Sequence, residues 1–182
     1  MTPVVIGLGG NLGGEQAIVA RMRAACSAFA TWAEVSRTAC SALYRSAPVG
    51  GRGQAPFVNG AVLLRWRAAA QAIDAVELLA RLLALEVELG RERGRARMTG
   101  APRTIDLDLW LIGAREIHLP GPPAVVVPHP RLAGRAFALV PLLDLLGARA
   151  RVPGSGVTIA TLLAAPTLRS QPIARLPYTL RS

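Results

Sequence analysis

The sequence predicts an α+β fold on three observations. Strand-length and helix-period apolar segments follow one another in the order βαββαβ, a long apolar helix ends on a glycine, and the C-terminal third is broken up by proline. The chain has 182 residues, 52% hydrophobic and 18% charged, with positive mean hydropathy, enough for one sizeable core and short for two. We expect a single domain over 1–166 and a loosely packed tail over 167–182, where Arg, Pro and Ser predominate without a strong period.

Val4-Val5-Ile6-Gly7-Leu8 reads as a buried strand that runs into the turn Gly9-Gly10-Asn11-Leu12-Gly13-Gly14. From Glu15 to about Thr31, Ile18, Met22, Cys26 and Phe29 recur at helical spacing. Val35 to Tyr44 and Phe57 to Arg67 read as two strands able to pair antiparallel across a long glycine-rich loop, a candidate binding element. Ala68 to Leu89 is predicted as a helix with the stripe Ile73, Val76, Leu79, Leu82, Leu83 and Val87, stopped by Gly90. A strand follows over Arg103 to Ile112, then a proline-marked loop and short helices at Phe137–Leu146 and Val157–Leu163. This order usually folds as a ferredoxin-like antiparallel sheet with helices packed on it, here with additional C-terminal elements.

The net charge is +10, and every one of the 21 basic residues is arginine. Without lysine, Schiff-base chemistry, a Gly-Lys-Ser/Thr phosphate loop and a protein-kinase site are excluded; any phosphate is handled by arginine. The glycine turn at 9–14 lacks both a G-x-G-x-x-G spacing and a lysine, so a tight turn competes with a phosphate cradle. No apolar run reaches the roughly 20 residues a bilayer needs, and Met1-Thr2-Pro3 resembles no secretion signal, so we expect a soluble cytoplasmic protein. Cys26 and Cys40, too few for a metal site, read as buried thiols, a disulfide remaining open. His118 and His129 are too few for zinc.

Chemistry concentrates in Pro102-Arg103-Thr104-Ile105-Asp106-Leu107-Asp108-Leu109-Trp110-Leu111. Strand alternation sends Ile105, Leu107, Leu109 and Leu111 to one face and Asp106, Asp108 and Trp110 to the other. Two neighbouring aspartates repel, so a cation is expected between them; Mg²⁺, which takes carboxylates, waters and substrate phosphates, fits, while a solvated sheet face is the plainer reading. Just upstream, Arg91, Arg93, Arg95, Arg97 and Arg103 face only one acid, Glu92. Carboxylates for metal beside arginine forks for phosphate are the two halves of a metal–polyphosphate site. A nucleic-acid surface is the competitor, but no aromatic residue interleaves the arginines. Phe57 and Phe137 are candidates to hold a flat heterocycle or simply core, and Asn59 shares the strand face of Phe57.

These residues resemble the 6-hydroxymethyl-7,8-dihydropterin pyrophosphokinases of folate biosynthesis. The resemblance runs from Val4 to about Leu146 through Gly9-Gly10-Asn11-Leu12, Leu43-Tyr44-Arg45-Ser46, Phe57-Val58-Asn59-Gly60-Ala61-Val62, Leu85-Glu86, Gly90-Arg91, Pro102-Arg103-Thr104-Ile105-Asp106-Leu107-Asp108 and Val127-Pro128-His129-Pro130-Arg131. It implies transfer of pyrophosphate from ATP to 6-hydroxymethyl-7,8-dihydropterin, giving the pterin diphosphate and AMP. It further implies two Mg²⁺ ions on Asp106 and Asp108, with Arg91 and Arg103 assisting the chemistry. ATP would be contacted by Glu86, Arg93, Arg103, Leu109, His129 and Arg135, and the pterin by Ser46, Val49, Phe57, Asn59 and Phe137. We expect a monomer whose partners are these two substrates, with neither nucleic acid nor membrane. Some family members carry a tryptophan before Pro-Arg-Thr, where this chain has Met98-Thr99-Gly100-Ala101. A nucleotide-binding paralogue without turnover and an RNA-binding module are the competing readings.

Overall fold

The computed structural model describes residues 1–48, 53–92 and 101–180. Its elements are β1 (Thr2–Gly10), α1 (Glu15–Ala30), β2 (Val35–Cys40), β3 (Tyr44–Ser46), β4 (Phe57–Trp66), α2 (Ala75–Glu88), β5 (Asp106–Ile112), β6 (Ile117–Leu119), β7 (Val125–Val127), α3 (Ala136–Leu146), α4 (Ile159–Leu163), α5 (Pro166–Arg169) and β8 (Ile173–Arg175). The mixed α and β content and the antiparallel sheet agree with the sequence reading. The main sheet is ordered β5-β1-β4-β3-β8, with β2 also paired to β4, and every pairing is antiparallel. Among the described residues, no helix is long and apolar enough to cross a membrane.

Two apolar clusters cover the two faces of this sheet. On one, Val4, Ile6, Leu8, Val58, Val62 and Leu64 meet α1 through Ile18, Met22, Cys26 and Phe29 and α2 through Leu78, Leu82 and Leu85. On the other, Val5, Ala61, Leu63, Trp110 and Leu111 meet α3 through Leu139 and Leu142, with Ile159 and Leu168 behind. The alternation of strand side chains thus feeds two helical layers, and on the α3 side the apolar cluster stops short of one end of the face.

Several local expectations are corrected. Val35 to Tyr44 is two strands: Leu43 folds over Gly60, where a Cβ would lie 2.7 Å from Leu43 Cδ2, and Ser41 keeps Ala61 satisfied across the break. The helix expected from Ala68 starts at Ala75, because Asp74 caps it by accepting from the Val76 and Glu77 amides. Its buried stripe is Ala75, Leu78, Leu82 and Leu85, so Val76 and Val87 lie out at 47% and 53% exposure.

The strand expected from Arg103 begins at Asp106, since Arg103 pairs instead with Asn11: its amide donates to Asn11 Oδ1 and its carbonyl accepts from the Asn11 and Leu12 amides. A bulge then shifts the β1–β5 register, Val5 facing Leu111 and Ile6 facing Leu109. Trp110 is the extra residue, so Leu111 joins Trp110 on the α3 face rather than Leu107 and Leu109 on the other.

The segment after Pro166, expected as a loose tail, packs against the sheet. Ile173–Arg175 pairs with β3, the Leu176 amide donates to the Leu43 carbonyl, and Leu168, Leu176 and Leu180 are buried. A short run with no period of its own gains its order from an edge strand that offers unpaired backbone groups.

Candidate active site

The open end of the α3-side face carries one row of residues across four strands: Tyr44, Asn59, Gly9 and Asp106. The next row holds Ala61, Gly7 and Asp108. With strands about 4.8 Å apart, Asp106 and Asn59 stand roughly 10 Å from each other across β1. Gly9 is the floor between them. A Cβ there would lie 3.7 Å from Asp106 Cβ and 3.8 Å from Asn59 Oδ1, so a side chain at this point would fill the gap between carboxylate and amide. Gly7 serves differently: its missing Cβ would be 2.0 Å from Trp110 Cε2, so the bulged tryptophan lies flat on the strand only because residue 7 is glycine.

Asp106 is gripped from both sides. Arg91 donates to Oδ1 at 2.6 Å and Arg103 to Oδ2 at 2.7 Å. The same Arg91 nitrogen donates to Glu86 Oε1 at 2.6 Å, and that oxygen also accepts the Leu107 amide at 2.7 Å. Glu86 is only 1% exposed, and this network explains how a carboxylate is tolerated there. Burial works against the Arg91 charge, but Asp106 and Glu86 outweigh it and hold the guanidinium's pKa above its ordinary value.

Asp108 lies two residues away in a different field. Burial first and the Asp106 charge second push its carboxyl well above the usual range, against the pull of Arg103 and Arg135. A dication between the two carboxylates relieves both causes. The two hard carboxylates are the donor type that Mg²⁺ takes. Such a cation completes its shell with water and phosphate. The residues also suit an anion. Arg103 Nε is buried, and among the described residues no acceptor meets it.

The other expected residues fall around this centre. Asn59 is buried and donates from Nδ2 to Ser46 Oγ at 3.0 Å, which fixes the orientation of its amide. Phe57 opens β4 with the Arg103 guanidinium 5.9 Å from its ring centroid, and Phe137, near the start of α3, has Arg135 at 5.3 Å. The His129 amide donates to the Trp110 carbonyl at the bulge, and its Nδ1 accepts from the Arg131 amide. Burial, then Arg135 and Arg131, pull the His129 pKa down to about 4. Burial and Arg131 likewise lower the pKa of Arg135.

Leu109 lies on the edge strand with its side chain turned into the α1 and α2 core. Glu86 is placed under Arg91 rather than in the open cleft, so its visible contribution is to anchor that arginine. Val49 and Arg93 lie outside the described residues, as do Arg95 and Arg97. Two contributors carried no site role in the sequence reading. Asn11, buried, donates to Gln54 Oε1 and the Ala55 carbonyl while gripping Arg103, tying together the loops that flank the cleft. Gly7 is the other, and a glycine inside an apolar strand is the sequence signal of such a close approach.

The sequence model of the 7,8-dihydro-6-hydroxymethylpterin-pyrophosphokinase (HPPK) family matches residues 5–147. The chain belongs to the HPPK family. Among curated relatives, the 2-amino-4-hydroxy-6-hydroxymethyldihydropteridine pyrophosphokinase of Synechocystis sp. is 35% identical over 159 residues, 87% of this chain and 73% of that protein. The enzyme of the same name from Pseudomonas aeruginosa is 38% identical over 142 residues, 78% of this chain and 79% of that one. Among solved structures, wild-type Plasmodium falciparum HPPK-DHPS with pteroate superposes with a TM-score of 0.61 at 13% identity, covering 89% of this chain. The chain spans 42% of that longer molecule, and the likeness speaks to the HPPK fold alone.

Proposed function

We propose that this member of the HPPK family transfers the pyrophosphoryl group of ATP to 6-hydroxymethyl-7,8-dihydropterin, releasing AMP, at the row Asn59, Gly9 and Asp106. Family membership supports the reaction. The observation that carries the assignment to these residues is the carboxylate pair Asp106 and Asp108, flanked by Arg91 and Arg103 and separated from a fixed amide by a glycine floor. Asp106 and Asp108 would hold Mg²⁺, two ions in our reading. Bound there, the metal supplies charge neutralisation on the polyphosphate and acidifies the acceptor hydroxyl.

The chain's own residues do the rest. Arg91, anchored by Glu86, and Arg103, with its unmatched Nε, present forks to phosphate oxygens in a partly dry site, where phosphoryl transfer depends on placement and charge more than on covalent help. Asn59, locked by Ser46, offers an amide that both donates and accepts to the edge of the heterocycle, and Phe57 and Phe137 offer ring faces. His129, neutral near pH 7, and Arg135 stand beside the nucleotide in this reading, with Arg93, Leu109 and Val49 completing the contacts. The strand order supports assigning the core to the ferredoxin-like class. We propose a cytoplasmic monomer that binds neither membrane nor nucleic acid.

The test is AMP release from ATP with and without Mg²⁺ and the hydroxymethyl pterin, with mass spectrometry of the pterin. AMP and pterin diphosphate forming together, only with metal and both substrates, is the expected result. Binding of both ligands without product would instead make the chain an inactive paralogue.

A further inference from the structure

Helix α1 and strand β2 bring the two cysteines together on the sheet face away from Asp106 and Asn59. Cys26, 7% exposed, and Cys40, the last residue of β2 and half-buried, hold their Sγ atoms 3.8 Å apart. They are in contact without being bonded, and a disulfide draws two sulfurs to about 2.05 Å. A recess of about 430 Å³ opens over the pair, walled by Thr38 and Leu180 and flanked by Arg23 and Arg37. Both arginines are exposed, and Arg23 is oriented by donating from Nε to the Thr179 carbonyl at 2.8 Å. Among the described residues, none of those lining the recess is acidic.

A thiol pair that served only to fill the core would need neither an opening nor a cation at its rim. While both sulfurs are reduced, the hydrogen bond with Cys40 and then burial push the Cys26 thiol up, and the first of these causes ends once Cys40 is held in a mixed disulfide. Cys40 is the more exposed of the two residues. The Arg23 guanidinium, held at the rim beside Leu180, raises the local concentration of anions.

We propose that Cys26 and Cys40 form a thiol–disulfide exchange site that accepts a small disulfide bearing carboxylates. The Cys40 thiolate attacks one sulfur of R–S–S–R, forming a Cys40–S–S–R bond and releasing one R–S⁻. Cys26 then attacks Cys40 Sγ, the Cys26–Cys40 bond forms and the second R–S⁻ leaves. Two protein thiols are oxidised, one external disulfide is reduced to two thiols, and the two protein protons pass to the released thiolates. The site stands independently of the pyrophosphoryl-transfer reading.

The probe is glutathione disulfide, added to the folded, fully reduced, full-length protein and followed by intact mass and peptide mapping. The expected product has lost two hydrogens, carries a Cys26–Cys40 link and returns to the dithiol with dithiothreitol. Cys26→Ser is expected to stop at a glutathione adduct on Cys40. Arg23→Ala is expected to slow the reaction roughly threefold and Arg23→Glu roughly tenfold, while oxidation by uncharged hydroxyethyl disulfide stays within a factor of about two. Circular dichroism confirms that each variant is folded. The proposal is overturned if both thiols of the folded protein ignore glutathione disulfide while the guanidine-unfolded chain reacts. It is equally overturned if the Arg23 variants slow both reagents alike.

Discussion

On the α1 and α2 side of β1, β4 and β5, the inward positions are apolar and closed by leucines, Met22 and Phe29, with Val4, Ile6, Leu64 and Ile112 fully buried. On the α3 side of the same strands, the pattern is split. Val5, Leu63 and Leu111 are packed like the first face, whereas Gly9, Asn59, Asp106 and Asp108 leave the other end unfilled by apolar groups. The backbone ladder is shared, so the sheet itself does not distinguish the two. The first face is held mainly by apolar burial and the other end by paired charges, glycine and side-chain hydrogen bonds, so stability and chemistry are largely separated on one sheet.

The sharpest way to break this contrast is at the carboxylates. Asp106→Ala and Asp108→Ala should each lower turnover at least ~10³-fold in an AMP-release assay while leaving the far-UV circular dichroism unchanged. Near-normal turnover in both would remove the open end from the chemistry. Next comes the boundary between the regions, where Gly7→Ala drives a methyl into Trp110. With an approach of 2.0 Å the bulge must move, and denaturant melts should report a loss of about 3 kcal/mol.

Glu86→Gln should cost less, roughly 2 kcal/mol, because Arg91 is 25% exposed and water partly screens it once the carboxylate is gone. Its signature is a fall in kcat without a matching change in the affinity for the pterin. A destabilised protein with unaltered kcat would mean that Glu86 serves only the fold.

A further test follows a single proton. His129 should titrate near pH 4 by NMR, against an ordinary value of 6.5. The fold prefers the neutral ring, so its contribution to stability is complete above about pH 6.5 and is lost as pH falls through about 4. A midpoint near 6.5 would show that neither burial nor Arg135 reaches the imidazole. Val87→Ser, on the exposed side of α2, provides the baseline and should change stability by less than about 0.5 kcal/mol.

Much of this architecture is legible in local periodicity. The alternation in Ile105-Asp106-Leu107-Asp108 places both carboxylates on one face, the helical spacing of Ile18, Met22, Cys26 and Phe29 identifies the buried side of α1, and the lysine-free composition leaves arginine to meet phosphate. These follow from the chain's own geometry over a few residues. The tertiary structure alone decided what depends on distant segments meeting: the bulge that turned Leu111 to the α3 face, the exclusion of Val76 and Val87 from the α2 stripe, and the pairing of Ile173–Arg175 with β3. It also decided which partners satisfy buried polar groups, Glu86 with Leu107 and Arg91, Asn59 with Ser46, Asn11 with Arg103, and it brought Cys26 against Cys40. A sequence fixes which way a side chain points along its own element. Register and burial are fixed by the neighbour it is packed against, because a polar group withdrawn from water must find its partner wherever the fold has brought one.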